Sequence, residues 1–136
     1  MAFTPLEMFL MENSIDNIKE KVIISERFRD LPFVIRPLTN DEYAEINKRA
    51  LKIDGKKVNF DTKKFNILAA IECTIEPNFR SAEAIKAQNV NTPEQYISKV
   101  LLPGEIATLA EKISKISGFN QSVEDVEELK EEAKNS

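Results

Sequence analysis

The chain has no histidine, no tryptophan and a single cysteine among its 136 residues. Without histidine, the commonest general base at neutral pH and the commonest metal-binding side chain is missing. A Ser-His-Asp or Cys-His arrangement cannot be assembled within the chain. One cysteine cannot form an internal disulfide, which fits a reducing compartment, and it cannot supply the Cys/His cluster of a zinc site. Glycine is nearly as scarce. Gly55, Gly104 and Gly118 stand isolated, so the glycine-rich loops that cradle phosphates are absent. No apolar run approaches the roughly 18 residues of a membrane span. Met1-Ala2-Phe3-Thr4-Pro5 lacks the basic flank and apolar core of a signal peptide. The sequence therefore predicts no catalytic residue, no metal site, no cofactor and no membrane segment.

What is present is the composition of a soluble domain with a core: 42% hydrophobic and 31% charged residues, net charge −4. An acidic chain is a poor binder of DNA or RNA, because phosphate neutralisation needs excess Lys and Arg. The charge is uneven. Residues 1–66 carry 12 basic and 11 acidic side chains, and the negative excess sits mostly after Ser122.

The pattern along the chain predicts an α+β fold, mainly α. A small antiparallel hairpin or sheet is followed by a compact helical body and an acidic C-terminal helix. Thr4-Pro5-Leu6-Glu7 has capping-box spacing, and opens a short helix over residues 5–12 with Leu6, Met8, Phe9 and Leu10 as an apolar surface. Residues 20–38 read as two strands, with Val22, Ile24 and Phe28 on one and Phe33, Val34 and Ile35 on the other. Such a hairpin needs support. Lys57-Val58-Asn59-Phe60, after the turn signal Asp54-Gly55, is a candidate third strand.

Helices are predicted over residues 39–51, 61–76, 93–100 and 103–117, with a shorter one from Ser81 to Ala87. Thr39-Asn40-Asp41-Glu42 and Thr92-Pro93-Glu94-Gln95 are capping boxes, and Asp61 is a cap. Phe65, Leu68, Ile71 and Ile75, with Ala69, Ala70 and Cys73 beside them, make the second of these helices the most buried. Cys73 is accordingly a small core hydrophobe rather than a nucleophile. Ile106, Leu109, Ala110, Ile113 and Ile116 form a clean stripe, closed by Gly118 as a left-handed cap with Phe119 folding back on Ile113. Residues 1–121 are read as one globular domain and residues 122–136 as an acidic helix or tail carrying Val123, Val126, Leu129 and Ala133.

Two sets of residues invite a functional reading. Arg27, Arg29 and Arg36 lie in the predicted hairpin. Their interleaving with Glu26 and Asp30 favours an exposed strand face, charged against edge pairing, over a nucleic-acid surface. The apolar residues Leu101, Leu102, Pro103, Phe119, Val126 and Leu129 are candidate partner contacts. For Leu101 and Leu102 core packing is the stronger alternative.

The order of the motifs resembles a known family. Ser25-Glu26-Arg27-Phe28 precedes Pro32-Phe33-Val34-Ile35-Arg36-Pro37-Leu38-Thr39. Then come Leu101-Leu102-Pro103-Gly104-Glu105-Ile106, Ser117-Gly118-Phe119 and an acidic end. Together they resemble the XkdN-like tail assembly chaperones of phages and prophages of Gram-positive bacteria. The resemblance implies a non-enzymatic protein of the host bacterial cytoplasm. It implies the tape measure protein as partner, with the tail tube protein as a second, and leaves a homo-oligomer open. A structural tail protein, such as a tube or completion component, is the alternative from another class, and a nucleic-acid-binding regulator is a third, which the acidic balance disfavours.

Overall fold

Capping chemistry decides where most helices begin. The computed structural model describes residues 4–12 and 14–119. Within them Thr4, Thr39, Asp61, Ser81 and Thr92 each accept the backbone N–H of the residue three positions on. These caps open α1 (Pro5–Glu7), α2 (Asn40–Ala50), α3 (Thr62–Cys73), α4 (Ala82–Ala87) and α5 (Pro93–Val100). Each such cap is worth about 1 kcal/mol. At Thr39 the box is reciprocal, because Glu42 also accepts the Thr39 N–H at 3.0 Å. The sixth helix, α6 (Pro103–Ile116), starts at Leu102, which has no side-chain acceptor. Glu105 supplies the missing half by accepting the Leu102 N–H at 2.8 Å. The helix ends with Gly118 at φ +91°. The Gly118 N–H returns to Lys115 O and the Phe119 N–H to Ser114 O, both at 3.1 Å, which is a Schellman closure.

The predicted helices over 39–51, 93–100 and 103–117 correspond to α2, α5 and α6 within a residue at each end. The first helix is shorter than expected. After Glu7 it widens into a π-type turn, Met8–Glu12. The helix expected to reach residue 76 stops at Cys73, because Thr74 and Ile75 are β-branched and Glu76 precedes a proline, which disfavours helical backbone.

Five strands lie among the described residues: β1 (Glu20–Val22), β2 (Phe33–Ile35), β3 (Leu51–Asp54), β4 (Lys57–Phe60) and β5 (Thr74–Glu76). The expected pair β1–β2 forms antiparallel, with Val22 opposite Phe33 and Glu20 opposite Ile35. Phe28 is not in a strand. It closes a 3₁₀ turn, Glu26–Phe28, in the long connection, with its ring 5.4 Å from that of Phe33. The third strand is also not the one expected. β5 completes the order β1-β2-β5, whereas residues 57–60 pair with β3 in a separate hairpin, Ile53 opposite Val58. Gly55, at φ +62°, opens the two-residue turn between β3 and β4. A turn that short closes locally before any distant sheet can recruit the strand.

α3 lies at the centre and packs against α2, α5 and α6. Its Leu68, Ala69, Ala70, Ile71 and Cys73 are all buried. They join Phe33 and Ile35 of β2, Ile97 of α5, and Leu109 and Ile113 of α6 in one core.

Candidate functional site

Two arginines of the early segment, Arg27 and Arg36, reach carboxylates of the helical body. Glu105 is the more buried of the two charged or polar core residues, only 4% exposed. Its carboxylate accepts from Ser25 Oγ at 2.5 Å and from the Arg27 fork, Nε and Nη2, at 2.8–3.1 Å. Arg27 Nη2 also donates to the Val100 carbonyl at 2.6 Å, and its guanidinium lies 4.3 Å over the Phe28 ring. The Arg27 hydrogen bonds, helped by Ser25 and the Leu102 N–H and opposed by burial, hold the Glu105 carboxyl down at about 2. A second latch forms at Arg36. It donates to both Glu42 oxygens at 2.8 Å, to Glu72 Oε1 at 3.2 Å and to the carbonyls of Pro37 and Glu72. Arg36 holds the Glu42 carboxyl well below the usual carboxylate range. Arg80 also pairs with Glu72, and Arg29 pairs with Glu26 at the surface. Arg27 and Arg29 are exposed as expected, but no strand carries them. Arg27 sits in a turn and Arg36 just past β2, and a carboxylate of the helical body claims each of them.

A third tie uses neutral groups. The Leu38 N–H donates to Ser117 Oγ at 2.9 Å, and that hydroxyl donates to Ile113 O at 2.6 Å. Cys73 is fully buried, and burial pushes its thiol up to about 12. It behaves as a packing residue. Among the described residues, no three His, Cys, Asp or Glu side chains gather as a metal site would require. Among them too, no helix is long and apolar enough to cross a membrane.

The candidate contact residues divide. Leu101 is in the core. Leu102 is 58% exposed and Pro103 beside it is exposed as well. Pro103 lines a groove of about 360 Å³ between α3 and α6, with Thr62, Asn66, Ile67, Ile106 and Ala107. Phe119 is half exposed, its ring 4.7 Å from that of Tyr43. Val126 and Leu129 lie outside the described residues. Two further apolar surfaces flank the body. Leu6, Met8, Phe9, Leu10 and Met11 are all exposed on the N-terminal turn. Leu51, Ile53, Val58 and Phe60 are exposed on β3–β4. Of the second, the pattern predicts the strand Lys57–Phe60 but not its partner Leu51–Asp54, where Leu51 is assigned to a helix. Alternation on both sides of Gly55 is the signal that marks it.

The sequence profile of the phage XkdN-like tail assembly chaperone proteins matches residues 6–130. The chain belongs to this family. Two Bacillus subtilis (strain 168) proteins are similar to this XkdN-like chaperone. The phage-like element PBSX protein XkdN is 34% identical, over 96% of this chain and 93% of its own length. The uncharacterized protein YqbN is 30% identical over 90% of each. A crystal structure of YqbN superposes with a TM-score of 0.65 at 27% identity, covering 88% of this chain and all of that one. In the XkdN-like chain, the motifs that suggested the family are those the latches join: Ser25 and Arg27 to Glu105, and Leu38 to Ser117.

Proposed function

We propose that this chain acts without catalysis in the host bacterial cytoplasm, holding the tape measure protein while the tail tube assembles. Membership of the tail assembly chaperone family carries this reading. The exposed apolar surfaces support it. A long helical partner presents apolar stripes that would otherwise aggregate, and a soluble protein with apolar grooves can cover them reversibly. Leu102, Pro103 and the groove formed with Ile67, Ile106 and Ala107 offer an apolar seat for a helix. Co-expression with the tape measure protein tests the reading. A soluble complex is expected, and Leu102→Lys, which removes the apolar side chain without adding an N-cap acceptor to α6, should weaken it roughly tenfold while changing folding stability by less than about 0.5 kcal/mol. Absence of a complex, together with this chain at stoichiometric amounts in purified virions, would replace the reading with a structural role.

A further inference from the structure

The face of the β3–β4 hairpin has an apolar surface that the described body leaves open. Cross-strand pairing sets Leu51 opposite Phe60 and Ile53 opposite Val58, so all four side chains share one face. Exposure rises along it, from 47% and 48% at the base to 78% and 63% at the tip. A two-stranded ribbon is marginal in water unless something packs on it.

Where the chain leads next suggests what that is. Phe60 stacks on Phe65 at 5.7 Å, Phe65 on Tyr43 at 6.1 Å and Tyr43 on Phe119 at 4.7 Å. Phe119, the last described residue, thus ends an aromatic row that begins on the hairpin. Residues 120–136 follow. In their sequence Val123, Val126, Leu129 and Ala133 recur at helical spacing among six acidic and two basic side chains. The hairpin's surroundings have the opposite balance. Residues 48–64 hold seven basic side chains against Asp54 and Asp61. Lys52 pairs with Asp61 and Arg49 with Glu94. Lys48, Lys56 and Lys63 are in none of the ion pairs among the described residues, and neither is Lys57, which strand alternation sets on the opposite face of the ribbon.

We propose that the acidic terminal segment, residues 122–136, docks on the apolar face of the β3–β4 hairpin of its own chain. Val123, Val126 and Leu129 cover Ile53, Val58 and Phe60, and the flanking carboxylates meet the lysines. The lengths agree. Asn120 and Gln121 reach about 7 Å when extended. The fifteen residues 122–136 in helical form span about 22 Å, enough to cover strands of about 13 Å. The hairpin is then a surface covered by its own chain. This goes beyond the proposed function and does not depend on which protein the chaperone holds.

The test uses the full-length chain. A carbodiimide should join carboxylates of residues 124–132 to lysines of residues 48–64 within single chains. A mixture of isotopically light and heavy protein distinguishes these links from links between chains. In V126D/L129D the links should disappear, and amide hydrogen exchange across β3–β4 should quicken roughly tenfold or more. The converse variant, Ile53→Ser, should quicken exchange in residues 122–133. Light–heavy links only would move the segment to a neighbouring copy and overturn the proposal. So would an absence of links combined with unchanged exchange in V126D/L129D.

Discussion

Glu105 does three jobs with one carboxylate: it caps α6 through Leu102, anchors Ser25 and takes the Arg27 fork. A glutamine of the same shape keeps an acceptor but adds an amide donor facing Arg27 and loses the charge. Glu105→Gln should therefore cost about 1–3 kcal/mol, the range for hydrogen bonds to charged groups, measured by urea unfolding. Unaltered stability would mean that water replaces the latch without loss. Phe79 tests the apolar side of the same scale. It is almost fully buried, between the rings of Phe33 at 6.4 Å and Tyr96 at 5.8 Å. Phe79→Ala should cost about 3–5 kcal/mol, by the same measurement. Cys73 could be read correctly from the sequence because its neighbours along the helix are apolar. Phe79 could not, since it follows Pro77 and Asn78 in a connection with no period to place it. Nor could the Arg27–Glu105 pair, whose members are 78 residues apart.

Elements were readable where their signal is local. A cap three residues before its first free N–H, or a proline at the first helical position, needs no tertiary information, and the starts of α2, α3, α5 and α6 were all found that way. Strand assignment failed where local pattern is ambiguous. Ile46, Ala50 and Ile53 continue a helical stripe as well as Leu51 and Ile53 begin an alternating one. Only pairing across Gly55 decides between them. β5 was hidden for a similar reason, since Ile75 falls on the stripe of Phe65, Leu68 and Ile71. At this scale the closure of α6 gives a clean prediction. Gly118 has φ +91°, a backbone conformation that a side chain disfavours. An added Cβ would meet nothing within 4 Å, so strain alone acts. Gly118→Ala should lower stability by about 1–2 kcal/mol, seen as a lower melting temperature. An unchanged melting curve would show that the closure contributes nothing.

For the molecule as a whole, charge and pH are linked. Residues 1–119 hold 17 basic and 17 acidic side chains, so the net −4 is the charge of the last 17 residues. Within the body, Glu105 and Glu42 are both held below their unfolded values, near 4.3 for glutamate. Their contribution to stability is fully present above that value. It is lost as pH falls toward about 2 for Glu105, and still lower for Glu42. Urea midpoints should therefore be flat from about pH 7 to about pH 5 and fall steeply below about pH 4. Glu105→Gln should flatten part of that fall. An acid limb equally steep in the variant would remove Glu105 from its cause.

The latches also impose an order in time. Ser25 and Arg27 wait for a carboxylate about 80 residues downstream, and the Leu38 N–H waits for a hydroxyl 79 residues on. During synthesis the N-terminal strands emerge first and must stay unlocked until α6 has left the ribosome. Contacts of such long range also slow folding, because the intervening chain must be closed into a loop before they form. A chain that stops short of Glu105 would therefore keep the Arg36–Glu42 latch but leave Ser25, Arg27 and the Leu38 N–H without their partners. Such a fragment lacks the helix that covers its core, and its exposed apolar strands make it a substrate for quality-control proteases.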